Sequence, residues 1–161
     1  IGLFYSATEN PAEAEKAYRT AIKLSPSFTP AMMNLADLYR ANGMDQLAEP
    51  LLRKAIAMEP RSAPPQHALG LLLIRQGKLQ ESLPYLRTAA ESGSSDYRFV
   101  YVYGVALWES GQREPAVETL ESGLDRFPGN RELVSALGSY YQQLGDDEKL
   151  RKLAEQYQQP Q

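Results

Sequence analysis

The chain has 161 residues, of which 43% are hydrophobic and 23% charged, and a formal net charge of −3. These proportions describe a folded chain rather than a disordered one. They exclude an overall cationic field able to hold nucleic acid or anionic lipid, and no apolar run approaches the roughly 20 residues that cross a bilayer.

Cysteine is absent and histidine occurs once, as His67. That removes disulfides, thiolate metal sites, cysteine nucleophiles, a C-x-x-C-H haem attachment within this chain and any multi-histidine centre. The opening IGLFYS has neither a start methionine nor a basic signal-peptide region. The expectation is that any targeting segment has been removed; the compartment stays open.

Along the chain, a small residue preceded by an apolar one recurs every 34 residues: Gly2, Ala36, Gly70, Gly104 and Gly138. Three positions on stands a large residue, namely Tyr5, Tyr39, Leu73, Leu107 and Tyr141, and glycine then closes the segment at Gly43, Gly77, Gly111 and Gly145, with Glu9 the exception. A second half follows in the same register. Ala14, Ala48, Ser82 and Ala116 align, as do Tyr18, Leu52, Leu86 and Leu120, and then Ala21, Ala55, Ala89 and Gly123. Pro26, Pro60, Pro128 and Pro160 end the units, with Ser94 in place of proline once. The units run 1–28 (partial), 29–62, 63–96, 97–130 and 131–161, so the expectation is a single array of about five helix–turn–helix repeats.

Each column has a physical reason. Both halves carry i, i+3, i+4, i+7 apolar spacing, the mark of two amphipathic helices. A small residue where the helices cross lets their backbones approach closely, glycine admits the left-handed turn that closes the first helix, and proline cannot continue the second. One such pair cannot bury its apolar face alone, so neighbours must stack. The stretch YRFVYVYGVALWESG (97–111) has the composition of a strand, but its register with LADLY (35–39) and LGLLL (69–73) makes it a helix. Pro50 and Pro84 share a column inside second helices, where each removes a backbone bond and is expected to bend the helix. Pro115 sits near a first turn, where proline costs little. The last unit replaces three columns with Leu150, Ala154 and Tyr157, and its polar tail EQYQQPQ suits an end cap.

The pattern resembles the tetratricopeptide repeat (TPR) family: 34 residues, L-G-x-x-Y in the first helix, then alanine, a bulky residue, alanine and proline. MNLADLYRANGMDQLAEPLLRKAIAMEP (33–60) matches nearly every family position, and the resemblance covers the whole chain. It implies an all-α fold, a right-handed α-α superhelix (TPR solenoid) whose first helices line a concave groove. The wording of NLADLYRANG, HALGLLLIRQGK and YRFVYVYGVALWESG is also similar to the TPR tails of some bacterial multihaem cytochromes.

If that geometry holds, a second stripe on each first helix faces the groove. It comprises Met33, Asp37 and Arg40; His67, Leu71 and Ile74; Tyr101, Val105 and Trp108; then Ser135, Ser139 and Gln142. The middle is apolar and aromatic, the composition of a partner site. Trp108, Tyr101 and Ile74 could equally fill the seam between first helices. Arg75 and Arg98 lie near the stripe, able to receive carboxylates or to pair with neighbouring acids. His67 could titrate or serve only as a hydrogen-bonding surface residue. Asn34 stands where some family members hold a peptide backbone, but Ala68, Val102 and Ala136 break any asparagine ladder. The lysines and asparagines of chaperone-binding members are replaced by Met33, Asp37, His67 and Leu71, which argues against an acidic-tail clamp.

Acidic pairs such as Asp146 and Asp147 are read as helix caps, SGSSD (92–96) as an inter-repeat turn, and no phosphate loop, serine elbow or metal spacing occurs. The expected function is therefore a non-enzymatic, cofactor-free scaffold binding a peptide or protein segment through Tyr101, Val105, Trp108, Leu71 and Ile74, without nucleic acid or membrane insertion. The alternative is a structural, self-associating or docking module of a larger enzyme or electron-transfer protein.

Overall fold

A computed structural model describes residues 10–157, and within them the chain is helical. The columns at Ile1, Gly2, Tyr5 and Glu9, and the closing Pro160, lie outside the described residues. Nine helices follow in order: α1 (Pro11–Leu24), α2 (Thr29–Ala41), α3 (Asp45–Met58), α4 (Ala63–Arg75), α5 (Leu79–Ala90), α6 (Tyr97–Glu109), α7 (Arg113–Arg126), α8 (Arg131–Leu144) and α9 (Asp147–Tyr157). They gather into two compact units, one ending at Ser92 and the other beginning at Gly93. The strand-like stretch from Tyr97 is α6. Packing against neighbours has outweighed the strand preference of its valines and tyrosines.

The turn inside each pair repeats to the hydrogen bond. In the first, Gly43 N–H donates to Arg40 O at 3.1 Å and Met44 N–H to Tyr39 O at 2.8 Å, the two bonds of a Schellman closure. Met44 O then accepts from Ala48 N–H at 3.2 Å, so one residue ends α2 and starts α3. Lys78, Gln112 and Asp146 do the same for their pairs. The closure needs a left-handed residue, and φ at Gly43, Gly77, Gly111 and Gly145 lies between 71 and 87°. α3 and α5 run unbroken through Pro50 and Pro84, whose rings stand on exposed positions.

Within the unit ending at Ser92, Ala14, Tyr18, Leu35, Ala36, Tyr39, Ala48, Leu52, Leu69 and Leu73 form one buried cluster. A Cβ added to Gly70 would stand 2.4 Å from Leu86 Cδ2, so α4 and α5 touch where the register puts glycine. In the second unit Gly104 meets Leu120 Cδ2 at 2.5 Å in the same way, while Gly138 has nothing closer than Leu153 Cδ2 at 3.7 Å. The crossing is tight in the inner pairs and relaxed in the last one.

Polar ties link one pair to the next. The Tyr39 hydroxyl donates to Glu15 Oε1 and accepts from Arg19, both at 2.8 Å. Arg19 first, then Tyr39, holds the Glu15 carboxyl below its usual range. Arg53 joins Glu49 on its own helix to Glu81 and Tyr85 on α5. Tyr141 donates to Glu121 at 2.7 Å, and Lys149 bonds the same oxygen. Asn10, Asp96, Asn130 and Asp146 cap helix starts through their side chains, the role expected of Asp146.

The crossing yields a paired test. Gly104→Ala should lower unfolding free energy by about 1–3 kcal/mol, the usual cost of overpacking. Gly138→Ala, with room for its methyl, should be neutral or stabilise by up to about 1 kcal/mol, because alanine is the better helix former. Urea melts followed by circular dichroism measure both. Equal destabilisation would show that the crossing is not what excludes a side chain.

Candidate functional site

The stripe residues divide between the two units. In the first, α2 carries Met33, Asn34, Asp37 and Arg40, and α4 carries His67, Leu71, Ile74 and Arg75. Met33, Asn34, His67, Leu71 and Ile74 are half-buried, and Met33 packs against the unit's core. The two arginines are engaged internally: Arg40 with Asp37 at 2.9 Å one turn earlier, Arg75 with Asp45 at the start of α3. A larger opening of 970 Å³ lies at the edge of this unit, around Gly43, Asp45, Glu49, Gln76 and Lys78. It does not include the stripe, and its Glu49 carboxylate already accepts from Arg53 and Gln76.

In the second unit α6 carries Arg98, Tyr101, Val105 and Trp108. Arg98 grips Asp96, the cap of its own helix, with its closest contact at 2.6 Å, so it takes the paired reading. Tyr101 and Val105 are half-buried and line an open depression of 600 Å³. The other wall is α8, through Arg131, Glu132, Ser135, Ala136, Ser139 and Tyr140. Ser135 and Ser139 present hydroxyls, and Gln143 donates to that of Ser139 at 3.2 Å.

Trp108 takes the seam position rather than an open groove position. It is 5% exposed, its ring stacked on that of Tyr140 at 3.8 Å and 4° between planes. The Arg113 guanidinium lies 4.2 Å from the indole centroid and donates to Trp108 O at 2.8 Å. The reason is Tyr140. Among the described first helices its column is otherwise filled by Leu38, Leu72 and Ala106, and here an aromatic ring extends over the indole. Trp108 therefore braces one wall of the depression from behind, with Tyr101 and Val105 in front.

Sequence reasoning passed over Arg131, Glu132 and Tyr140. The signal available for Tyr140 was an aromatic where the three preceding units hold Leu38, Leu72 and Ala106, the partial first unit holding Phe4. For Arg131 it was a cation in the first-helix opening column otherwise held by Thr29, Ala63 and Tyr97.

Burial is the main cause that pushes Tyr140 up to about 12, followed by negative charge on Tyr101 and Glu109 and opposed by Arg113. The protonated phenol is thus favoured in the fold. Its contribution is complete below pH about 10, declines as pH rises and is lost above about 12. A spectrophotometric titration should find one tyrosinate appearing near pH 12 that is missing from Tyr140→Phe, and the variant should lose less stability between pH 10 and 12. Trp108→Ala should cost about 3–5 kcal/mol, as expected for emptying a buried aromatic site, measured by denaturant unfolding.

The comparisons with known proteins agree with this architecture. The tetratricopeptide-repeat family profile matches residues 3–65 and 67–131. The chain is 26% identical over 136 residues to the Protein CTR9 homolog of Arabidopsis thaliana, covering 80% of this chain and 12% of that protein. It is 30% identical over 122 residues to the TPR repeat-containing protein YpiA of Bacillus subtilis strain 168, covering 72% of this chain and 29% of that one. It thus spans under a third of the length of either relative. Among solved structures it is similar to YrrB, described as a TPR protein with an unusual peptide-binding site, with TM-score 0.78 and 20% identity over 97% of this chain and 80% of that one. MamA gives 0.78 and 22% over 98% and 90%, and PilF of Pseudomonas aeruginosa 0.82 and 21% over 99% and 74%. At these identities the likeness is one of fold.

Proposed function

The chain belongs to the tetratricopeptide-repeat family, whose members are generally protein-interaction scaffolds and typically not enzymes, and from that premise we propose that it holds an extended protein segment against its first-helix faces. In the second unit the segment lies in the depression between α6 and α8, with Tyr101 and Val105 as its apolar floor. Ser135 and Ser139 serve main-chain groups from the α8 side. In the first unit Leu71, Ile74 and Met33, flanked by His67 and Asn34, offer the corresponding apolar surface.

The observation that supports this reading most is the depression itself. It is apolar on one wall, hydroxyl-lined on the other and braced by the Trp108–Tyr140 stack. A half-buried aromatic beside spare hydroxyls suits an extended chain, which needs contacts for alternate side chains and partners for its backbone. Rigid aromatics carry a large share of binding energy at such surfaces. The proposal extends to the absence of catalysis: the chemistry on this wall consists of hydroxyls and charges at helix ends, with no nucleophile set against a base.

Selection from a displayed random-peptide library on the immobilised protein tests the assignment. Peptides recovered on the wild type should bind Tyr101→Ala at least about tenfold more weakly, about 1.4 kcal/mol, while the circular dichroism of the variant stays unchanged. Equal binding by Tyr101→Ala and by Val105→Asp would remove the depression as the site.

A further inference from the structure

Two charges, one lining the depression and one a helical turn beyond Val105 on its floor, have no hydrogen-bond or ion-pair partner among the described residues. Arg131 lines it at the first residue of α8 and makes no hydrogen bond or ion pair among the described residues. Its neighbour Glu132 follows it on α8 without pairing to it, so the guanidinium keeps all of its donors. Glu109 stands one turn beyond Val105, at the last residue of α6. It is exposed and likewise makes no hydrogen bond or ion pair among the described residues. The nearest cation by sequence, Arg113, is committed to Trp108.

Both charges also oppose the helix they belong to. A cation at a helix N-terminus and an anion at a C-terminus each face the like end of the macrodipole, the reverse of the favourable placement. Many helix ends elsewhere follow the rule. Glu13, Asp45, Glu81 and Glu114 sit in first turns, Lys23, Arg40 and Arg87 in last turns. Of the exceptions, Arg98, Arg113, Lys149 and Glu155 are bonded within the protein, while Asp125 near the end of α7 is exposed. An unpartnered cation on the depression and an unpartnered anion one helical turn beyond Val105 are what a ligand carrying the opposite charges would relieve.

Resting on the reading that this depression holds an extended segment, we infer that its occupant carries a carboxylate side chain near one end and a cationic one near the other. The carboxylate lies on Arg131, where a bidentate pair can form, and the cation on Glu109. Tyr97 is the α6 residue in register with Arg131, and Glu109 stands twelve positions beyond it. At 1.5 Å per residue that is about 18 Å, which an extended chain covers in about five to six residues.

The test uses three synthetic hexapeptides, Asp-Leu-Ala-Val-Ala-Lys, Asp-Leu-Ala-Val-Ala-Asp and Lys-Leu-Ala-Val-Ala-Lys, titrated against the full chain. The emission of Trp108, the single tryptophan, is the readout, since its stacking partner Tyr140 lines the depression. The wild type should prefer the mixed peptide by about fivefold at low ionic strength, the upper range for an exposed ion pair, and lose that preference at 1 M salt. Glu109→Lys should prefer the doubly acidic peptide and Arg131→Glu the doubly basic one. Each charge reversal should also raise the melting temperature of the free protein, because it turns an unfavourable helix-end charge into a favourable one.

If all three peptides bind and the rank order is the same in every variant, the charge assignment is wrong and the depression still stands as a binding site. If none binds the wild type at millimolar concentration while the charge variants fold normally, the inference and the reading beneath it fall together.

Discussion

The approach of two helices at a single small residue is the contact on which the inner repeats depend. Where Gly70 and Gly104 lie against Leu86 and Leu120, the backbone of one helix takes the place of a side chain, and the leucine on the other helix closes the gap completely. The contact is feasible only because the turn before it is equally constrained. One residue closes the first helix with its N–H and opens the second with its C=O, leaving little freedom in how the pair can fold. Burial of the bulky columns then supplies the stabilisation, and the turn supplies the geometry.

Between pairs the chemistry is more varied. The Tyr39 hydroxyl sits in a carboxylate–guanidinium pair, Arg53 bridges two helices, and Tyr141 shares Glu121 with Lys149. Each tie is partly exposed, so each contributes modestly and depends on salt. Their value is directional. An apolar seam tolerates sliding by a fraction of a turn, whereas a hydroxyl held by a carboxylate fixes which residues stand opposite. The boundary at Ser92–Gly93 is a place where the pattern loosens: α5 has 12 residues where α1, α3 and α7 have 14, and the proline column holds Ser94.

The depression on α6 and α8 shows how an open concave surface can arise without disturbing the repeat. Its floor uses positions that the packing columns leave free, and its rigidity comes from one departure, an aromatic at Tyr140 that pins Trp108. Arg131, which lines it, and Glu109, one helical turn beyond Val105, each oppose the dipole of their own helix, a local cost in helix stability. The columns hold the fold, and the stripe between them is free to vary without disturbing it.

By itself the sequence determined the helices, their pairing, the glycine turns and the close crossings at Gly70 and Gly104, though not the relaxed one at Gly138, because these follow from local spacing repeated at 34 residues. It therefore resolved α6 against its own strand-like composition. It also marked Tyr101 and Val105 as belonging to the free stripe. What it could not assign was the side on which Trp108 would be covered, since the indole's spacing suits both groove and seam and the answer lies in Tyr140, 32 positions away. Nor could spacing show that Arg75 and Arg98 are committed to Asp45 and Asp96 while Arg131 and Glu109 stand unpaired. Periodicity reports which face of a helix a residue occupies; which partner reaches that face depends on side-chain size and charge across neighbouring helices, and only the tertiary structure brings those together.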